Sequence, residues 1–248
     1  GYKSREIIND CIVEIALENQ FHPIREYLES LSWDGVDHIK KLGSYFQDKD
    51  DIFTALFRKW LIGAVGRVLR PYDAIQNPVL VLDGIQGLGK SQFIYWLASV
   101  LPAYYFQGAI NANEKDSVIR ACSVWVWELA ELGATFRRSD IESLKQFITI
   151  PMVTVRAPYG RRDMHKHPTA SYIGTINNVS GFLADPTGHR RFRPCTLTAI
   201  DWKYSKDINV NDIWAQAVAL FKSGENNNLD SATQAKVNLI SQSYEIDD

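Results

Sequence analysis

Apolar positions recur every three to four residues in three stretches near the start of the chain, which predicts helices. The first carries Ile7, Ile8, Cys11, Ile12 and Ile15. The second restarts at His22-Pro23 and carries Ile24, Tyr27, Leu28 and Leu31. Trp33-Asp34-Gly35 reads as a turn. A longer helix follows with Phe53, Leu56, Phe57, Trp60, Ala64 and Val68, capped by Asp51 and closed by Pro71. From Val79 the pattern changes. Val79-Leu80-Val81-Leu82 is unbroken apolar, as a strand buried on both faces requires. Residues 104–106, 123–129, 153–156 and 171–176 are further strand segments. Helices fall between them: one with Phe93, Trp96, Leu97 and Val100, another opened by the capping box Ser139/Glu142 and carrying Ile141, Leu144 and Ile148. Beyond Pro194 the pattern predicts a polar stretch, then a helix with Trp214, Ala217, Val218 and Phe221. An Asn-rich loop over 224–230 and a last helix capped by Ser231 and Gln234 complete the chain.

Strands alternating with helices predict an α/β sheet covered on both faces. The division expected is an N-terminal helical region over 1–72, an α/β core over 73–200 and a C-terminal helical segment over 201–248.

Composition adds little to this picture. Of 248 residues, 46% are hydrophobic and 23% charged, ordinary for a globular protein. A net charge of -2 removes any global basic field, though a local basic loop on a neutral body still suffices for nucleic acid. No apolar run is long enough to span a bilayer. Three widely spaced cysteines, Cys11, Cys122 and Cys195, suit a reducing compartment. The chain opens Gly1-Tyr2 without Met, so it is expected to be a piece of a longer protein.

The sharpest chemical signal follows the apolar strand. Gly84-Ile85-Gln86-Gly87-Leu88-Gly89-Lys90-Ser91-Gln92 holds the spacing Gly-x-x-x-x-Gly-Lys-Ser, with a strand before it and an amphipathic helix after it. The glycines let the backbone curl so that its N–H groups form an anion nest at a helix N-terminus. Lys90 is placed to reach the β- and γ-phosphates of ATP, and Ser91 to supply a hydroxyl to Mg²⁺.

Such a loop needs a carboxylate at a neighbouring strand end, and 124–131 offers Glu128 and Glu131, three apart rather than adjacent. Which would bind the metal and which act as base stays open. The strand 173–176 ends in Asn177, an amide able to orient the attacking water. Arg190 and Arg191 follow on a loop after that strand, and either would serve as an arginine finger in a neighbouring subunit's site. Glycine loop, acidic strand end, Asn-tipped strand and arginine loop come in the order of an AAA+-like ring ATPase. Between the two later strands, Arg161, Arg162, His165 and Lys166 crowd positive charge onto a turn suited to backbone phosphates. His165 and His167 share a face, but no Cys or helical His supports a metal site there.

The stretches 144–161, 169–177 and Gly188-His189-Arg190-Arg191-Phe192 resemble a superfamily 3 helicase core, and within it the virulence-associated protein E family of phages and mobile islands. Trp33-Asp34-Gly35, Lys59-Trp60-Leu61-Ile62, Leu82-Asp83-Gly84-Ile85-Gln86-Gly87 and Pro158-Tyr159-Gly160-Arg161 share the likeness, which covers roughly 20–222. The resemblance implies an AAA+-like P-loop core forming a ring, usually of six subunits, around DNA in a bacterial host's cytoplasm. A primase-type domain upstream, or other replication partners, would accompany it. It further implies Lys90, Ser91 and a glutamate acting in cis, with Asn177 as sensor. Arg156, and after it Lys145, would lie near the neighbour's phosphates, and the hairpin bearing Arg161, Arg162, His165 and Lys166 would point into the channel. Three rivals stand beside the helicase reading: a DNA-linked ATPase that loads or remodels without unwinding, a P-loop kinase active as a monomer, and a nucleotide-gated regulatory protein.

Overall fold

In the computed structural model the described residues are 7–8, 11–12, 22–111, 114–130, 132, 138–155, 163–177, 191–242 and 244. Their elements, in chain order, begin with α1 (Pro23–Ser30), α2 (His38–Gly43), β1 (Phe46–Asp48), α3 (Phe53–Leu69), β2 (Val79–Asp83) and α4 (Lys90–Ala98). There follow β3 (Tyr105–Gln107), α5 (Lys115–Ala121), β4 (Val126–Leu129), α6 (Arg138–Ile148), β5 (Val153–Val155), β6 (Met164–Lys166), β7 (Ser171–Thr175) and β8 (Phe192–Ile200). The chain closes with α7 (Tyr204–Asp207), α8 (Val210–Lys222) and α9 (Ser231–Gln242). Residues 7–8 and 11–12 are helical, as expected; the rest of that first stretch lies outside the described residues.

A mixed α/β arrangement results, with a mostly parallel central sheet in the order β1-β8-β2-β7-β4-β3. Only β1 runs antiparallel, against β8. All five residues of β2 and of β7 are buried. Their alternate side chains serve two cores. Leu80, Leu82, Val126 and Ile173 pack with Phe93, Ile94 and Leu97 of α4 and with α1, α3 and α8. Val79, Val81, Trp127, Leu129 and Tyr172 pack on the other face with Leu144, Phe147 and Ile148 of α6. The helices at both ends of the chain thus share one core with the sheet.

Buried indoles tie the layers together through their single donor. Trp60 Nε1 donates to the Tyr172 carbonyl at 2.8 Å, Trp125 to Ala64 at 3.3 Å and Trp214 to Leu97 at 3.0 Å. Each would cost about 1–3 kcal/mol if left unpaired in the interior.

Four sequence expectations need correction. The cap of α9 is Asp230, whose Oδ1 accepts from the Thr233 N–H at 2.9 Å, and Ser231 is the first helical residue. The cap of α3 is not Asp51, whose φ of 53° turns it away from the helix. Asp48 does that work from the end of β1, accepting from the Ile52 and Phe53 N–H groups at 2.9 and 3.1 Å. The polar stretch expected beyond Pro194 is instead strand β8, nine residues long. Pro194 is tolerated because β1 covers only Leu197–Ile200 of it; at Pro194 the strand pairs with β2 alone, so its missing N–H faces no ladder. Finally, His165 and Lys166 lie on strand β6 rather than on a turn. β5 and β6 form a separate antiparallel hairpin, with Thr154 opposite His165 and Val153 opposite Lys166.

The Asn-rich loop after α8 is an anchor. Glu225 pairs with Arg58 at 2.6 Å and Lys59 at 2.9 Å, the Asn227 carbonyl accepts from Arg193, and Asn227 Nδ2 donates to the Gln76 carbonyl. Among the described residues no helix is long and apolar enough to cross a membrane.

Candidate functional site

Because β8, β2, β7, β4 and β3 run parallel, their carboxyl ends lie along one edge of the sheet, where open α/β sheets bind ligands. One cavity of about 390 Å³ collects a contribution from each of the five. Trp202 comes from beyond β8, Gln86 to Gln92 from beyond β2, Thr175 and Asn177 from β7 and its end, Ala130 from beyond β4, and Gln107 from the last position of β3.

The loop after β2 has the geometry its glycines predict. Gly84, Gly87 and Gly89 adopt φ of 147°, 81° and 102°, which residues with a Cβ rarely reach. Gly89 precedes α4 in a left-handed conformation without a side-chain cap, so the first N–H groups of the helix are left to face the cavity. Asp83 closes the base of the loop: Oδ1 accepts from the Gly84 N–H at 2.7 Å, and Oδ2 from the Tyr244 hydroxyl at 2.6 Å.

Lys90 is only 5% exposed. Its ammonium donates to the carbonyls of Gly84 at 2.6 Å and Ile85 at 3.0 Å, and to Asn177 Oδ1 at 3.1 Å. Burial lowers its pKa, opposed by the nearby Asp83 carboxylate. A phosphate oxygen reaching this ammonium would replace loop carbonyls and relieve that desolvation with a full negative charge. The hydrogen bond between Lys90 and Asn177 joins two residues that are 87 apart in sequence. Ser91 and Gln92 are exposed at the cavity wall.

Glu128 behaves differently from the open acid expected at a strand end. It is 0% exposed and does not line the cavity, which Ala130 reaches two residues later. The Tyr105 hydroxyl donates to its Oε2 at 2.5 Å, while Oε1 is buried without a hydrogen-bond partner. The same carboxylate and burial raise the Tyr105 pKa, burial foremost. The Ser91 hydroxyl and a carboxylate with an unused oxygen are hard donors of the kind a Mg²⁺ ion takes. Glu131 lies outside the described residues, as do Arg156, Arg161, Arg162 and Arg190.

Arg191 sits away from this cavity. It immediately precedes β8, whose Phe192 is level with Val79 at the start of β2, so it occupies the amino edge of the sheet. The strand rise over Val79–Asp83 alone puts ~13 Å between that edge and the glycine loop. There Arg191 lines a second cavity of about 390 Å³ with Gln76, Asn77, Pro78, Ile148 and Thr149, its Nε buried and without a partner. Lys145 is 1% exposed inside its own chain, so in this conformation it is closed to any neighbour. On the hairpin His165 and Lys166 are exposed, and Thr154 Oγ1 meets His165 Nδ1 at 3.1 Å. No group of three metal-binding side chains occurs among the described residues.

Sequence reasoning did not find Trp202, Thr175, Ala130 or Gln107. The last three follow once strand order is known. Trp202 is hidden in the sequence because the strand that delivers it, β8, follows the pattern of a polar stretch.

Comparison with known proteins agrees with this architecture. The apo structure of the NrS-1 C-terminal region (305–718) matches with a TM-score of 0.53 and 14% identity, over 88% of this chain and 55% of that one. The A form apo structure of the same region matches with a TM-score of 0.52 and 16% identity, over 85% and 50%. This chain spans about half the length of those structures, and at such identity the likeness speaks for the fold alone. No curated protein matches it. The model of the virulence-associated protein E-like domain matches residues 28–246. Matched from within α1 to past α9, the chain belongs to the virulence-associated protein E-like domain family.

Proposed function

We propose that this chain is the ATP-hydrolysing P-loop core of a superfamily 3 type DNA helicase or translocase, working in the replication of a phage or mobile element. It would act as a homo-oligomeric ring of six subunits in the host cytoplasm. The observation that carries this reading is the convergence of five parallel strand ends on a glycine loop, with Lys90 already bonded to Asn177 across two strands.

The chain's groups divide the work accordingly. Gly87, Gly89 and the first turn of α4 cradle phosphate oxygens with backbone N–H groups. Lys90 exchanges its loop carbonyls for the β- and γ-phosphates while Asn177, held to the same ammonium, registers the change and orients the attacking water. Glu131 polarises that water, or Glu128 does so once its unpartnered Oε1, buried in this conformation, is opened to the cavity. When bound, Mg²⁺ held by Ser91 and a glutamate neutralises charge on the phosphate oxygens. Arg191 stands on the opposite edge from its own glycine loop, a position from which a finger serves an adjacent subunit rather than its own site. The exposed His165 and Lys166 fit contacts to DNA phosphates, a role that Arg161 and Arg162, close to them in sequence, would share, and Arg156 would serve the neighbour's phosphates.

Hydrolysis measured per subunit across a range of protein concentrations tests this. The expected rate climbs as rings assemble and rises further with single-stranded DNA, and a forked duplex is opened. A rate per subunit that is independent of concentration, or no hydrolysis at all, overturns the ring ATPase. Hydrolysis without strand separation leaves the remodelling ATPase in its place.

A further inference from the structure

Resting on the reading of the carboxyl-edge cavity as a nucleotide site, we infer that Trp202 is the platform on which the nucleotide's base stacks. The order of strands fixes the direction of the ligand. Asn177 and Ala130, beyond β7 and β4, lie to one side of the glycine loop, and Trp202, beyond β8, lies to the other. The groups suited to cleaving the terminal phosphate are on the β7 and β4 side. The nucleoside end therefore points towards β8, where the cavity wall is an indole.

That indole is unlike the other six. Trp60, Trp125, Trp127 and Trp214 are buried and donate to backbone carbonyls, Trp33 donates to the Val36 carbonyl, and Trp96 packs on Phe93 and Tyr204. Among the described residues Trp202 has neither a ring partner nor an acceptor for its N–H, and it is 40% exposed.

Trp202 is nevertheless held in place. The Asp201 N–H donates to the Tyr45 carbonyl at 2.8 Å, Asp201 Oδ1 accepts from the Lys203 N–H at 3.0 Å, and the Trp202 carbonyl accepts from the Ser205 hydroxyl at 3.0 Å. The ring edge rests on Gly89, where an added Cβ would meet Cη2 and Cζ2 at 2.2 Å. Glycine at this point thus serves both the turn and the seat of the ring. An aromatic face fixed beside a phosphate cradle offers a base a stacking surface at little ordering cost, and it is tolerant of base identity because every base has a π-face.

The test compares the nonhydrolysable analogue AMP-PNP with inorganic tripolyphosphate, by calorimetry, on the wild type, Trp202→Ala and Trp202→Phe. Trp202→Ala is expected to weaken AMP-PNP about tenfold, at the lower end of what one stacked base contributes. Tripolyphosphate affinity should be unchanged, and Trp202→Phe should recover most of the loss. Quenching of tryptophan fluorescence by AMP-PNP should disappear in Trp202→Phe. Unchanged AMP-PNP affinity in Trp202→Ala, or an equal loss for both ligands, overturns the platform while leaving the phosphate site intact. If the wild type binds neither ligand, the nucleotide reading falls first and takes the platform with it.

Discussion

Replacing Glu225 by Gln removes the charge at the centre of the anchor between α3 and the loop after α8. Its carboxylate is held at about 2 rather than at its ordinary 4.5, chiefly by the hydrogen bond from Arg58, then by Lys59 and the charges of both, against the opposing effect of burial. A displacement of that size corresponds to at most ~3 kcal/mol of folding free energy. With 24% of the side chain exposed, solvent screening reduces this to about 1–2 kcal/mol. The contribution is present in full above 4.5, where the unfolded chain also carries the charge. It is lost as pH falls towards 2, where the folded carboxylate takes up its proton. Urea unfolding of the wild type and Glu225→Gln at pH 7, 5, 4 and 3 measures this directly. The two variants should differ by the stated free energy at pH 7 and 5, and the difference should shrink through pH 4 and 3, heading to zero only as pH falls through about 2. A difference that stays constant with pH would refute the argument, because it would mean that Gln lacks shape rather than charge.

Lys90→Ala should abolish hydrolysis in steady-state assays, and AMP-PNP binding should weaken with it. Arg191→Ala should retain AMP-PNP affinity but lose ~10³-fold in turnover, and mixing it with Lys90→Ala subunits should restore part of the activity through hybrid interfaces; turnover retained in Arg191→Ala transfers the finger role to Arg190. Changing Lys166 together with Arg161 and Arg162 to Ala should flatten the salt dependence of DNA binding measured by fluorescence anisotropy, by about one in log–log slope for each phosphate that is no longer neutralised. Tyr105→Phe leaves both oxygens of Glu128 unpaired in the interior, and unfolding midpoints should report a loss of about 1–3 kcal/mol.

The glycine loop, its strand and its helix were legible because each rests on local signals: an unbroken apolar run, three glycines and a helical stripe. The first hairpin strand, β5, and the Asn-tipped strand are legible for similar reasons, whereas β6, crowded with charge, reads as a turn. Strand β8 was not, since Pro194 argues against a strand unless one knows that its outer side is unpaired at that point. Missing β8 concealed the two neighbours of β2 and with them Trp202. The cap of α3 escaped notice because Asp48 reaches across a turn to residues four and five positions on, whereas the local reading favoured the nearer Asp51. The acid at the end of β4 was found, but its enclosure under Tyr105 depends on the register of β3 against β4, with Tyr105 opposite Val126 and Gln107 opposite Glu128. No local pattern carries that information.

Both outermost strands of the central sheet, β1 and β3, are three residues long. Borders so brief present few open amides and carbonyls to a second molecule, so lengthening the sheet by adding strands from another copy is disfavoured. Any copies of the chain that associate would therefore do so chiefly through side chains, a joint that can loosen and re-form without unzipping a backbone ladder.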